Sequence, residues 1–355
     1  VPPWDNSAMD GYAFNAADVA QARTKGLPIS QRITAGMAPE PLLAGSCARI
    51  FTGAPLPAGA DCVEMQENVE LTQSGFARLT QPVHAGQNVR PQGQDVRVGS
   101  QLLAAGLRLR PQDLGVIASV GLARVAVRRP LRVAVVSTGD ELVEPGDQLN
   151  SGQIFNSNRF TLIGALQRLG QQIVDGGILP DDPEKTGSRL RALADQADVI
   201  ISSGGVSVGE ADCLGQVLRE NGEVSLWKLA IKPGKPFTLG SFANTPVLGL
   251  PGNPAATLVT FLLLVRPYLL TRLGCTTVEP TTFSLPAGFD WQRPGNRDEY
   301  LRADFVDGRI LLAGNQSSGV LSSASKANGL VLIPAGSTVN QGETLSFLPF
   351  TGLFD

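Results

Sequence analysis

Histidine is nearly missing from this 355-residue sequence, which contains His84 and no other. Catalytic triads built on a histidine base, histidine-rich zinc sites and facial-triad iron sites all need more imidazoles or better placed ones. Chemistry therefore has to rest on carboxylates, lysines, backbone amides and a metal ion. His84 lies in a turn rich in proline and glycine, which favours a solvated loop histidine over a catalytic one.

Cysteine and charge are also scarce. The four cysteines lie far apart without the spacing of a metal site, which fits a reducing cytosol better than a disulfide framework. Charged residues make up 17% of the chain, the net charge is −3 and no basic block occurs. This balance argues against nucleic acid as the main partner. We therefore expect a cytoplasmic protein that does not bind nucleic acid.

Uninterrupted hydrophobic runs of membrane-spanning length are missing too. The longest apolar segment, Leu258 to Leu273, is interrupted by Arg266-Pro267 and is typical of a buried helix rather than a membrane span. The opening Val1-Pro2-Pro3 has neither a basic start nor an apolar core, so we expect no signal peptide and no membrane partner. Because the initiator methionine is missing, we expect that a leader was removed or lies outside this chain.

Glycine and proline, in contrast, are abundant, with 40 and 25 residues. The length predicts two to four domains, and the many turns predict short strands around at least one compact α/β unit. We predict a multidomain α/β plus β fold. Its parts are a β module with a polar loop at 1–103, a linker helix and strand at 104–130, a doubly wound α/β domain at 131–274 and a small C-terminal β-barrel at 275–355.

The spacing of hydrophobic residues predicts where the helices and strands lie. In the linker, Pro111 opens a helix with Leu114, Ile117 and Ala118 on one face that stops at Gly121, and Leu122 to Val127 continue as a strand. In the α/β domain helices begin near Asn158, at Asp182-Pro183 and after Asn253. The predicted strands of this domain are Leu131 to Ser137, Ile173 to Leu179, Val199 to Ile201, Leu226 to Ile231 and Val247 to Leu250.

A glycine-rich loop follows the strand at Val199 to Ile201. Ser203, Gly204 and Gly205 leave backbone amides uncovered before a helix whose N-terminus favours an anion, and Asp212 could hold a hydrated Mg²⁺ against a bound phosphate. The alternative is a plain turn in which Asp212 caps the helix. The stretch alone leaves both interpretations open.

Paired acids follow two other strands. Ser137 to Glu141 end the first α/β strand, and Asp181-Asp182 follow a neighbouring one, so these acids fall on the same sheet edge as the glycine loop. Paired acids after a strand bind metal or sugar hydroxyls, and the alternative is a solvated turn. One member of Asp181-Asp182 is expected to be only a helix cap.

Three lysines lie between Lys228 and Pro236. Lys228 and Lys232 are an even number of residues apart on a predicted strand, hence on one face, and Lys235 follows on a turn stiffened by proline. This rigidity favours an oxyanion or polyphosphate site over a surface lysine strand. In the next turn, Asn253 could cap a helix or read a base.

The motifs together identify a family. In chain order they are DNSAMDGYA from Asp5, TGAP from Thr52, STGDE from Ser137, SGGVSVGEAD from Ser203, KPGKP from Lys232 and LPGNP from Leu250. They closely resemble molybdopterin molybdenumtransferases of the MoeA type, which are related to the gephyrin E domain. The resemblance covers essentially the whole chain in the family's order.

The resemblance implies Mg²⁺-dependent insertion of molybdate into adenylylated molybdopterin, with release of AMP and molybdenum cofactor. It implies a homodimer in which Asp10, Thr52 and Asp95 of one subunit face the α/β site of the other. A molybdopterin adenylyltransferase is expected upstream, and molybdoenzymes or their chaperones downstream.

The resemblance also assigns residue roles. By motif, Glu141, Asp181 and Asp212 match acids that serve the nucleotide and metal, and Lys228 and Lys232 match anion-binding lysines. Our hypothesis is that Asp212 and Glu141 help to hold Mg²⁺. The molybdate pocket comprises Lys232, Lys235, Pro236, Arg302 and Ser318. The full set of expected cofactor-binding residues is Ser137, Thr138, Gly139, Ser203, Gly204, Gly205, Val206, Ser207, Lys235, Pro236, Pro251, Asn253, Pro254, Arg302 and Ser318.

Three departures from the family pattern and two rival functions remain. Relative to the family we expect the helical leader to be missing here, while Ser317 replaces the usual glycine before Ser318 and Ala255 stands where valine is frequent. A molybdopterin adenylyltransferase is disfavoured by Gly204 to Ser207, where that enzyme has Gly-Gly-Thr-Gly. A gephyrin-like scaffold would be favoured by a fused adenylyltransferase domain and long linkers. A dehydrogenase is excluded because no Gly-x-Gly-x-x-Gly motif follows the first strand of the α/β domain.

Overall fold

The computed structural model describes residues 1–206 and 213–354. Two compact units are present, Val1–Val125 and Ala126–Asp355. Each has its own apolar core, so the chain is multidomain, as predicted. The finer division into four parts stays a prediction.

The first unit is built mainly from short strands. Its largest sheet has the order β3-β4-β2-β5, with β3 parallel to β4 and the other pairs antiparallel. The predicted polar loop at its start contains two strands, β1 and β2. Gly11 lets β2 pair tightly with β5, because a Cβ there would lie 1.9 Å from the Glu64 carbonyl oxygen. The elements are β1 Asn6–Ser7, β2 Gly11–Phe14, α1 Val19–Thr24, β3 Ile29–Ile33, β4 Cys47–Ile50, β5 Cys62–Met65, β6 Val69–Leu71, β7 Ala77–Leu79, β8 Val89–Arg90 and α2 Pro111–Ser119.

The linker agrees only in part with its prediction. Helix α2 begins at Pro111 and buries Ile117, as expected, whereas Leu114 is 54% exposed. The predicted strand Leu122 to Val127 is wrong, because within the described residues this segment pairs with no strand. β-branched sequence alone does not form a strand without a ladder partner.

A six-stranded sheet dominates the second unit. Its order is β12-β9-β13-β17-β16-β14; the first four strands are parallel, and β16 is antiparallel to both of its neighbours, β17 and β14. The elements are β9 Arg132–Thr138, β10 Leu142–Val143, β11 Ile154–Phe155, α3 Ser157–Arg168, β12 Gln172–Leu179, α4 Pro183–Ala194, β13 Val199–Ser203, α5 Cys213–Asn221, β14 Gly222–Lys228, β15 Ile231–Lys232, β16 Pro236–Phe242, β17 Thr245–Leu250, α6 Pro254–Thr260 and α7 Arg266–Arg272.

Helices cover both faces of this sheet. Val133 and Val135 of β9 pack in one apolar cluster with α3 and α6, while Ala134 and Val136 pack in another with α4 and α5. Because successive side chains of a strand point to opposite faces, the unbroken apolar run of β9 serves both clusters. This confirms the predicted buried, mostly parallel sheet.

The lysine-bearing strand differs from its prediction. Strand β14 ends at Lys228, which pairs with Pro236 of the antiparallel β16, and the chain turns back so that the Leu229 amide donates to the Lys235 carbonyl over 2.9 Å. Lys232 lies in β15, which pairs with a strand of the C-terminal sheet. The expectation that Lys228 and Lys232 share one face of one strand is therefore wrong.

The long apolar helix runs through α6, a π-helical turn at Phe261–Val265, and α7. By length and composition Pro254–Arg272 could cross a membrane, and 67% of it is buried inside the protein. This burial agrees with the predicted core helix.

The C-terminal part forms a second sheet with the order β15-β19-β21-β22-β18, and β20 pairs with β19. A further bridge joins Ala287 to Ile310. Two short helices, α8 at Ser322–Lys326 and α9 at Phe350–Leu353, accompany these strands, whereas the sequence predicted only a small β-barrel here. The elements are β18 Phe283–Pro286, β19 Asp298–Val306, β20 Arg309–Leu312, α8 Ser322–Lys326, β21 Gly329–Ile333, β22 Thr344–Pro349 and α9 Phe350–Leu353.

Candidate active site

A cavity of about 490 Å³ opens at the carboxyl ends of the parallel strands in the second unit. The loops after β9, β13 and β17 converge there, as expected for a sheet of this type. The expected site residues that line it are Thr138, Gly139, Glu141, Asp181, Ser203, Gly204, Gly205, Val206, Pro236, Asn253 and Pro254.

Two glycines let the loops after β9 and β13 touch. A Cβ on Gly204 would lie 2.7 Å from the Thr138 carbonyl oxygen, and one on Gly205 would lie 2.7 Å from the Thr138 hydroxyl. Both glycines have positive φ, +85° and +65°. We expected the Gly204 amide to be free to bind a ligand, but it donates to the Leu250 carbonyl over 3.0 Å. This amide therefore ties two cavity loops together.

Ser137 lies beneath the cavity rather than on its surface. Its hydroxyl is 3.0 Å from the Ser203 hydroxyl and donates to Asn156 Oδ1 over 3.1 Å. Ser137 is fully buried. It supports the floor of the site from below.

The segment leading into α3 supplies lining residues that sequence reasoning missed. Asn156 caps α3, accepting from the Arg159 amide, and Asn158 Nδ2 donates to the Gly252 carbonyl over 2.7 Å. An asparagine and a serine before an amphipathic run are a signal for the start of a helix. We predicted this start near Asn158 and so overlooked the signal at Asn156 and Ser157. The missed lining residues are Leu142, Ile154, Phe155, Asn156, Ser157, Asn158 and Gly252.

Carboxylates crowd one side of the cavity. The amides of Asp140 and Asp181 point at each other's carboxylates, at 3.3 and 3.4 Å. Burial, and then the charges of Asp140 and Glu141, raise the pKa of Asp181. Its neighbour Asp182 accepts from the Lys185 amide over 2.9 Å and caps α4, so one member of the pair is the expected cap.

Two expected residues, Ser207 and Asp212, lie outside the described residues. Within 1–206 and 213–354, histidines, cysteines and acids form no group of three that could hold a metal ion. The carboxylates of Glu141 and Asp181 nonetheless both line the cavity and are oxygen donors of the kind that Mg²⁺ prefers.

The lysine-rich segment from Lys228 to Pro236 reaches the cavity only at its end. Pro236, at the end of that segment, lines the cavity, whereas Lys228, Lys232 and Lys235 are not among its lining residues. The Lys232 ammonium donates to both carboxylate oxygens of Glu299, over 3.2 and 3.3 Å.

Arg302 and Ser318 occupy different environments. Arg302 is fully buried. Its guanidinium donates to the carbonyls of Asn315 and Ser317, each over 3.0 Å, and these two hydrogen bonds hold the loop that precedes Ser318. Burial lowers the pKa of Arg302. Nη1 of Arg302 is buried and, among the described residues, makes no hydrogen bond.

Asn253 connects Ser318 to the cavity wall. Its Nδ2 donates to the Ser318 hydroxyl over 3.2 Å, and the Ala255 amide donates to the Ser318 carbonyl over 2.9 Å. Asn253 occupies the N-cap position of α6, as predicted, but among the described residues its side chain makes no capping bond to that helix. The neighbouring Pro251 is held through its carbonyl, which accepts from the Thr257 hydroxyl.

In the first unit, Asp10 and Thr52 lie together. One oxygen of Asp10 accepts from the Thr52 amide and from its hydroxyl, each over 2.8 Å. The third expected residue, Asp95, is placed by its amide, which donates to the Val1 carbonyl over 2.9 Å.

Comparison with known protein families gives three matches in chain order. Residues 1–121 match the MoeA N-terminal region (domain I and II), residues 134–271 match a probable molybdopterin binding domain, and residues 284–350 match the MoeA C-terminal region (domain IV). The cavity lies within the second match.

Curated relatives and solved structures match along nearly the whole chain. The chain is 41% identical over 361 residues to a molybdopterin molybdenumtransferase of Haemophilus influenzae, covering 99% of this chain and 89% of the relative. It is 31% identical over 364 residues to the Bacillus subtilis protein of that name, with coverages of 98% and 84%. A solved MoeA protein of Pyrococcus horikoshii superposes with a TM-score of 0.80 at 33% identity, covering 98% of this chain and 88% of that one.

Proposed function

The chain belongs to the MoeA family of molybdopterin molybdenumtransferases, transferases of molybdenum cofactor biosynthesis, and from this premise we propose that it inserts molybdate into adenylylated molybdopterin and releases AMP. The observation that carries the proposal is the cavity at the carboxyl edge of the parallel sheet. Its volume, about 490 Å³, falls in the range of small-molecule sites.

The cavity loops, together with the lysines of the segment that ends at Pro236 in the cavity lining, suit this chemistry. The reaction brings an oxyanion, a dithiolene and a phosphate together, so it needs cations and backbone amides rather than a protein nucleophile. Lys232 and Lys235 concentrate molybdate, with Pro236, Arg302 and Ser318 completing its pocket. Lys228 and the loop from Ser203 to Ser207 hold the phosphate-bearing substrate.

Mg²⁺ is the proposed metal. Glu141 and Asp212 would hold it, and Asp181 serves the nucleotide beside them. The fit rests on the crowding of Asp181 by Asp140 and Glu141, which a bound cation would relieve. When bound, Mg²⁺ neutralises charge between carboxylates and phosphate.

Several further features belong to the proposal. The protein acts as a cytoplasmic homodimer in which Asp10, Thr52 and Asp95 position substrate at the partner's site. It receives substrate from a molybdopterin adenylyltransferase and passes cofactor to molybdoenzymes or their chaperones. The C-terminal sheet closes as a β-barrel, which the bridge between Ala287 and Ile310 supports.

The proposal is tested by mixing purified protein with adenylylated molybdopterin, molybdate and Mg²⁺, and measuring AMP and active cofactor. We expect both products to form. If AMP stays at the level of a protein-free control, the enzymatic assignment fails.

A further inference from the structure

A buried glutamate of the C-terminal sheet accompanies the lysine loop. We propose that Glu299 is an affinity-determining residue: it holds Lys232 in place and weakens oxyanion binding by this loop, so that molybdate is bound reversibly. The inference rests on the proposed function, because it takes Lys232 as part of the molybdate pocket.

The buried carboxylate of Glu299 contacts a lysine side chain that is about half exposed. Glu299 has 3% of its side chain exposed, and Lys232 has 52%. Both carboxylate oxygens accept from the lysine, at 3.2 and 3.3 Å. Glu299 is packed so closely that a Cβ on Gly295 would lie 2.4 Å from its Oε1. The carboxylate therefore sets the position of the ammonium.

The backbone fixes the same pair. Strand β15 lies parallel to β19 with Lys232 opposite Glu299. Just before this pair along the chain, Arg297 Nη1 donates to the Ile231 carbonyl and the Asp298 amide donates to the Ala230 carbonyl, each over 3.1 Å. The start of the lysine loop is thus held to the C-terminal sheet, while Pro236 at its end lines the cavity.

Charge determines the direction of the effect. An oxyanion at Lys232 is attracted by the ammonium and repelled by the buried carboxylate behind it. Replacing Glu299 with glutamine keeps the size of the side chain and one oxygen acceptor but removes the negative charge. We therefore expect glutamine to hold the lysine while strengthening anion binding.

The test measures binding of molybdate alone, and of tungstate alone, by equilibrium dialysis against the full-length protein. Glu299→Gln should bind molybdate about tenfold more tightly, a gain that falls as ionic strength rises. Glu299→Asp, which keeps the charge, should not bind more tightly. The exposed Glu343, whose carboxylate accepts from Asn340, provides the matched control, and Glu343→Gln should bind as the unaltered protein does.

The outcomes separate this inference from the proposed function. If Lys232→Gln weakens molybdate binding but Glu299→Gln leaves it unchanged or weaker, with an unaltered melting temperature, the role of Glu299 is overturned alone. If Lys232→Gln leaves binding unchanged, the lysine assignment and the role of Glu299 both fail. In the double variant the gain from glutamine should vanish, because the charge acts on an anion bound through Lys232.

Discussion

Thr52 donates two hydrogen bonds to a single oxygen of Asp10, one from its amide and one from its hydroxyl, each over 2.8 Å. These two bonds lower the pKa of Asp10, with a smaller contribution from Arg49. The side chain is thereby kept ionised and oriented. Asp10 and Thr52, which lie in two separate sequence motifs, are thus joined directly by hydrogen bonds.

Thr52→Val should raise the pKa of Asp10, because it removes the hydroxyl donor and keeps the amide. The measurement is an NMR titration of the Asp10 carboxyl carbon. Thr24→Val is the control, since within the described residues the Thr24 hydroxyl donates to carbonyls of its own helix and not to Asp10. An unchanged Asp10 titration in Thr52→Val would show that the hydroxyl does not contribute.

Gly204→Ala should destabilise the second unit by about 2 kcal/mol or more, because its positive φ and the Thr138 carbonyl at 2.7 Å leave no room for a Cβ. Gly252→Ala should change stability by less than about 0.5 kcal/mol, since the nearest atom would lie 3.9 Å away. Urea unfolding measures both. Equal losses in the two variants would contradict the proposed contact between the loops.

Asp198 should stabilise the second unit in a pH-dependent way. It accepts from the Arg129 guanidinium over 2.7 and 2.9 Å and from the Arg132 amide over 2.8 Å, and these bonds hold its pKa far below the usual range. A lowered pKa stabilises the fold above the ordinary carboxyl pKa of about 4, and this contribution is lost as pH falls toward the lowered value.

Asp198→Asn should therefore cost about 1–2 kcal/mol at pH 7, a figure reduced because both arginines are largely solvated. The difference from the unaltered protein should narrow below pH 4. Unfolding curves at pH 7, 5 and 3 test this. A difference that does not depend on pH would assign the loss to packing alone.

Two thiols should be inert. Burial raises the pKa of Cys47 and of Cys62 to about 12, with nearby Asp61 adding to the effect at Cys62. Because the thiolate is the reactive form, neither should react with a disulfide reagent at pH 8 in the native protein, while both should react in denaturant. Mass spectrometry of the labelled peptides identifies them. Rapid native labelling of either cysteine would contradict its burial.

The sequence predicted well those features that short-range signals determine. The apolar run of β9 and the proline start of α4 with its Asp182 cap both lie as expected. Each depends on residues that are neighbours in the chain. The convergence of loops at one sheet edge then follows from parallel strand order.

Features that depend on distant partners were missed. Lys228 and Lys232 belong to different sheets because one pairs with Pro236 and the other with Glu299, and neither pairing can be read from an even spacing. Asn253 is a residue type that favours a capping bond from its side chain, yet its side-chain amide donates to the Ser318 hydroxyl, 65 residues further along the chain. Local propensity is overridden in both places by contacts between separate elements.

The most direct test of the proposed function is molybdate dependence. Protein preloaded with adenylylated molybdopterin and Mg²⁺ is supplied with molybdate, and released AMP is measured together with the cofactor that activates a molybdenum-free molybdoenzyme. The proposal predicts that AMP and active cofactor form in equal amounts and only when molybdate is present. AMP release without active cofactor, or at the same rate without molybdate, would contradict it.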